Sequence, residues 1–217
     1  MSGLFFGASV KPIADFFPRV LPHLPGCPDP LAAQLILDTA IQFCEASGAI
    51  RQTLDPIKLI PNTGVYEFEP PTQQQVVRIF RAHIDGRDLH LAPLSEYPLL
   101  TEQVGQPRVL HTTRTDGLPE LVLTPTPDAA STLSLDVALR PTRAATTLAD
   151  DLFDLWLDAI STGAISAAQR MVGQPFTDMP SAGQRHAEFR SHISRARINA
   201  LMGQVHSAQR VRSRPFA

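Results

Sequence analysis

The groups that could bind a metal, attack a carbonyl or move a proton are few in this 217-residue chain, and they are scattered. Histidines stand at 23, 83, 90, 111, 186, 192 and 206, and no pair has the HxxxH spacing that puts two imidazoles on one helix face. His186 and His192 are six apart, which places them on different faces. Cys27 and Cys44 form no CxxC motif, and two cysteines in a chain of this length fit free thiols in a reducing compartment. Cys44 falls among apolar residues at helical spacing, where a thiol acts as a small hydrophobe. Asp150, Asp154 and Asp158 recur at i, i+4 and i+8. Such a row can bind a divalent cation, but it is far more often a solvated face or the partner of arginines. Glycine-rich phosphate loops (GxGxxG, GxxxxGK[ST]) and the GxSxG nucleophile turn are absent. The expectation is a protein with no catalytic residue, no cofactor and no metal.

The elements that carry these groups begin with the last third. Thr146 to Val205 reads as helix, break, helix, break, long helix. In LADDLFDLWLDAIS the residues Leu148, Leu152, Leu155, Trp156, Ala159 and Ile160 form one apolar stripe, with the three aspartates on another face. GAISAAQRMVGQPF is the second piece. The third, SAGQRHAEFRSHISRARINALMGQV, sets Phe189, Ile193, Ala196, Ala200 and Leu201 against Arg185, Arg190, Arg195 and Arg197. A helix of about 22 residues spans roughly 33 Å, a strut for something else to lean on.

Near the start, PGCPDPLAAQLILDTAIQFCEASG is a helix with Asp29 as cap, Pro30 at the first helical position and Gly48 as stop. Its apolar residues wrap most of its surface, so it is buried on more than one side. Ala49 to Leu91 changes to strand periodicity, and Asp85-Gly86 between extended runs marks a hairpin. Asp116-Gly117 marks a second hairpin, Ser95–Gly105 is a short helix or ordered loop, and STLSLDVALRP is one more alternating strand. These readings give an α+β fold: a helical bundle (30–48 plus 146–205) with an inserted antiparallel β domain (49–145) and extended terminal arms at 1–29 and 206–217.

Net charge is −2, which hides a segregation. Gly183–Ala217 holds seven arginines against one acid, Glu188, for a net +6, while the remainder, twelve basic against twenty acidic, is −8. A basic arm on an acidic body implies a polyanionic or acidic partner, or assembly of arm on body. MSGLFFGASV lacks the basic region and apolar core of a cleavable signal, and no apolar run reaches the roughly 20 residues of a membrane span. Trp156 reads as core rather than as a stacking platform.

The run LPGCPDPLAAQLILDTAIQFCEASGAIRQTLDPIKLIPNTGVYEFEPP, followed by VVRIFRAHIDGRDL, resembles the head-to-tail adaptor proteins of tailed bacteriophages. So does the later pattern from Trp156 through Gly173-Gln-Pro-Phe-Thr-Asp to His186-Ala-Glu-Phe-Arg. The likeness covers roughly Leu21 to Leu201 and is a distributed pattern without a catalytic signature. It implies a ring, usually of twelve copies, beneath the portal protein in the virion neck. There the ring extends the DNA channel and seats the tail tube, nozzle or fibre proteins. It implies synthesis in the bacterial cytoplasm, no enzymatic activity, and DNA that passes without sequence-specific binding. On that basis Arg210, Arg212, Arg214 and Phe216 are expected to meet the portal, and Asp150, Asp154 and Asp158 to line the channel or pair with Arg190 or Arg197 of the long helix. Three other readings stand beside it: another neck or tail completion protein, a nucleic-acid-binding module using the arginine-rich C-terminus, and an enzyme whose site carries no recognisable motif.

Overall fold

The computed structural model describes residues 9–93, 103–115 and 118–202. The segment Val10–Pro12 (β1) leads into a helical run broken at each proline: a 3-10 turn at Ile13–Phe16, a single α-turn at Phe17–Val20 (α1) and a 3-10 turn at Leu21–His23. Helix α2 is Asp29–Ser47. Its N-cap is Pro28, one residue earlier than the sequence suggests, and Asp29 is its first helical residue. Gly48 ends it in the left-handed conformation, φ 61°, donating its N–H to the Cys44 carbonyl at 2.8 Å.

Thirteen strands are described, and they form four sheets. After β1 come β2 (Arg51–Thr53), β3 (Ile57–Leu59), β4 (Val65–Glu67), β5 (Gln74–Ile84), β6 (Arg87–Asp88), β7 (His90–Leu91) and β8 (Val104–Gly105). Then follow β9 (Val109–Thr115), β10 (Leu118–Thr124), β11 (Thr126–Pro127), β12 (Ser131–Pro141) and β13 (Thr147–Ala149). The largest sheet has the order β2-β12-β5-β6, with β3 also on β12. The second has the order β4-β10-β9-β7, and β1-β13 and β8-β11 are two-stranded. The first hairpin turns at Asp85 and Gly86, both at positive φ (48° and 82°), as an Asp-Gly turn requires. The second joins β9 to β10 in register from Leu118↔Thr115 to Thr124↔Val109.

Strand β12 is the centre. Leu133, Leu135, Val137 and Leu139 are all fully buried on it, as the alternation predicts. Helix α2 lies on this sheet with one side and against the C-terminal helices with the other. Phe43, Ile36 and Cys44 therefore belong to the same hydrophobic cluster as Leu133, Leu135 and Leu121. This corrects the expectation of a helical bundle with one inserted β domain. The architecture is a mixed one of several sheets and helices around a shared core. The reason lies in α2, which is apolar on two sides and so joins strands to helices rather than closing a bundle.

The C-terminal helices are α3 (Asp150–Asp154), α4 (Leu157–Gln169) and α5 (Met179–Met202). The single helix expected across LADDLFDLWLDAIS is interrupted at Leu155–Trp156, where Trp156 takes φ −126°, ψ 17° and packs on Phe43 at 5.3 Å between ring centroids. The break expected before Gly163 does not occur. There α4 runs continuously with residues 159–166 all buried, because it is the middle layer between α2 and α5. A Cβ built on Gly163 would stand 2.5 Å from Thr39 Cγ2 of α2 and 2.9 Å from the Phe189 ring of α5. Gly163 thus lets three helices meet at one point.

At 24 residues α5 spans about 36 Å. Asp178 starts it: its carboxylate accepts the Ser181 N–H at 3.1 Å and its carbonyl accepts the Ala182 N–H at 2.9 Å. Ser166 of α4 donates to the Ala182 carbonyl at 2.9 Å. Phe189 and Ala196 are buried, whereas Ile198, Leu201 and Met202 are exposed.

Two outcomes follow. Gly163→Ala would gain about 1 kcal/mol in an exposed helix, but here it forces Thr39 and Phe189 apart and is expected to lower stability by about 1–3 kcal/mol in urea unfolding. The hydrogen bonds from Ser181 hold the Asp178 carboxyl below its ordinary value. Its contribution is therefore present above the usual carboxylate pKa and fades as pH falls through the lower folded value. Asp178→Ala is expected to lower Tm at pH 7 and to leave it unchanged in strong acid, as thermal melts across pH will show.

Candidate interaction surface

Gly48 turns the chain out of α2 into β2, and the turn leaves room for one aromatic ring. Phe80 fills it: its Cζ lies 3.2 Å from where a Gly48 Cβ would stand. Phe80 reaches this place because β5 carries bulges against β12, where the register skips Phe80 and then Val77. The Arg51 guanidinium sits over the ring at 3.8 Å from its centroid, and that of Arg78 is 5.9 Å away. Burial pushes Arg51 below the usual guanidinium value, with Asp136 acting the other way, and it stays charged at neutral pH. Asp136 itself accepts the Thr53 hydroxyl at 2.6 Å.

The last turns of α5 close the other side. Arg197 donates through Nη2 at 2.7 Å and Nε at 3.0 Å to the Ala46 carbonyl, one of the unpaired carbonyls at the end of α2. Glu45 is taken by Arg140 at 3.0 Å. The result is an open groove between the outer sheet face and α5, lined by Arg51, Arg78, Phe80, Arg197 and Leu201, which is 69% exposed. A second depression, which shares Arg51 with the groove, is lined by Leu155, Trp156, Asp158, His192 and Arg195. Leu155, expected in the buried stripe, is 68% exposed because the helix break turns it outward.

Arg210, Arg212, Arg214 and Phe216 lie outside the described residues. Asp150 and Asp154 are on α3 and Asp158 on α4, so they do not share one unbroken helix. Asp158 pairs loosely with Arg19 at 3.9 Å, both largely exposed. Among the described residues no aspartate of the three pairs with Arg190 or Arg197, and Asp151 and Asp154 are exposed without a cationic partner. Arg51, Arg78 and Phe80 are the residues that sequence reasoning missed. The signal was an arginine and an aromatic two apart in a strand, Arg78 and Phe80, but the approach of β2 and α5 to them is a long-range event.

Burial pushes the Cys44 thiol up to about 12, which leaves it protonated and unreactive. Among the described residues no group of three or more His, Cys, Asp or Glu is placed to hold a metal ion, and no helix is long and apolar enough to cross a membrane. Compared with models of known protein families and with curated proteins, the chain finds no match in either.

Arg197 is the tie between α5 and α2 at this surface. Arg197→Met keeps the aliphatic stem and removes the charged donors, and is expected to cost on the order of 1 kcal/mol in equilibrium unfolding. It should also speed amide exchange in the last turns of α5.

Proposed function

We propose that this chain is a structural subunit of a phage neck, a head-to-tail adaptor that docks on the portal, continues the DNA channel and seats the tail. The observation that carries this reading is α5. Its N-terminal three-quarters is clamped against α4 and α2, and its last turns stand beside an arginine–aromatic groove with Ile198, Leu201 and Met202 exposed. Beyond them the sequence continues into Arg210, Arg212, Arg214 and Phe216. Exposed apolar residues rimmed by charge suit a surface that is covered by a protein partner. The distributed sequence likeness to adaptors points the same way.

A nucleic-acid module is favoured by Arg51 and Arg78 at one surface, but the Phe80 face that a base would stack on is occupied by Arg51. We therefore rank it second. Light scattering with sedimentation of the purified chain, alone and mixed with a phage portal ring, separates the two. The adaptor reading expects about one ring of copies per portal, and loss of that binding when the chain is cut after Gln204. No portal binding together with strongly salt-dependent DNA binding would overturn it.

A further inference from the structure

Strand β5 is eleven residues long, and β12 covers one of its edges from end to end. The other edge is covered only at its C-terminal end. There β6 pairs with His83 and Ile84, and the Leu89 N–H donates to the Ala82 carbonyl at 2.8 Å. Along 75–81 no described residue pairs with that edge. Strand β9 is bare in the same way. β7 pairs with Val109 and Leu110, and the Ala92 N–H donates to the Leu110 carbonyl at 3.2 Å. Beyond them no described strand pairs with 112–115 on that side.

The register brings the two bare edges to one gap. Residues 87–92 run between the sheets, the first half pairing with β5 and the second with β9. Along that run the partners count down β5 from 84 to 82 and up β9 from 109 to 110. The bare stretches are therefore where the same line continues. A cleft of about 620 Å³ lies between them, lined by residues 74–79, Thr112, Thr113, Phe68 and Pro119. Successive side chains of a strand point to opposite faces, so a space that touches six consecutive residues follows the edge of the strand.

The walls define the occupant. Bare N–H and C=O groups on both sides suit an extended backbone. Half-buried Val76, Val77 and Ile79 suit apolar side chains on it. Arg78 is the one charged residue among those lining the cleft; it is exposed and has no acidic partner among the described residues. It suits a carboxylate.

We propose that this cleft receives an extended segment of a partner protein, one acid among apolar residues, which pairs with β5 and β9 at once and joins the two sheets. Five residues of such a segment span about 16 Å. The proposal does not rest on the reading of the chain as an adaptor. Arg78 also borders the groove beside Phe80, whereas Thr112 and Thr113 line only this cleft of the two, so they report on it alone.

The test is fluorescence anisotropy of the full chain with a labelled peptide, Thr-Val-Glu-Val-Thr-Val, for which saturable binding is expected. Two further peptides carry N-methyl groups on the odd or on the even residues. Successive N–H groups of a strand point to opposite edges, so each set is expected to weaken binding roughly tenfold or more. Arg78→Glu is an exposed change, and circular dichroism will show that the fold is kept. It should weaken binding of this peptide and favour one with lysine in place of the glutamate. Amide exchange should slow with peptide at 75–81 and at 112–113. Absence of saturable binding, indifference to either N-methyl set or to Arg78→Glu, or protection that leaves out 112–113 would overturn the proposal. So would slow exchange along both edges without peptide, because the chain itself or a second copy would then already cover them.

Discussion

Three helices pass through one point that has no room for a methyl group. At Gly163 a Cβ would meet Thr39 of α2 and Phe189 of α5 well inside van der Waals contact. This crossing depends on small residues along α4, where Ala159, Ser161, Thr162, Ala164, Ser166 and Ala168 are buried with it. Side chains this small give little hydrophobic free energy each. They instead let Phe43, Phe189 and Ile36 on the flanking helices come together, and Phe43 and Phe189 stand 6.3 Å apart between ring centroids. The direction of α5 follows from that contact, together with the Ser166 bond to its first turn.

What α5 does at its far end follows from how it is held. Its last turns would project freely were it not for Arg197, which reaches the end of α2, and for the sheet beneath. That sheet is shaped by two bulges in β5 that direct Phe80 toward Gly48. A left-handed glycine, a bulged strand and a helix end therefore converge, and the groove is their joint product. Each piece is an ordinary structural device. Their convergence leaves Arg78, Leu201 and Ile198 exposed.

Much of the local structure was legible in the residues. Asp29 and Pro30 before an apolar run and Gly48 after it bounded α2 to within a residue. Asp85-Gly86 and the alternation of Leu133 to Leu139 marked the hairpin and the central strand. Two errors had one cause. The residues just before Gly163 read as a break between two helices, yet α4 runs through them and Gly163 gives its neighbours the space they need. The stripe through Leu155 and Trp156 read as one continuous helix, yet it is broken there and Trp156 packs on Phe43. Local propensity cannot register a partner that is more than a hundred residues away. The bundle-with-insert architecture failed for the same reason, since nothing in the α2 sequence says which of its two apolar sides meets a strand. The groove was invisible because its parts come from residues 46–51, 77–81 and 197–201. The aspartate row was visible but belongs to two helices.

On the proposed function, the chain assembles through the outward end of α5 and the groove beside it. Amide hydrogen exchange of the full chain, free and in the presence of a portal ring, tests it most directly. The account predicts new protection at residues 77–81 and 197–202 and none in the loop at 171–177. Protection confined to that loop, with the end of α5 exchanging as fast as in the free chain, would contradict it.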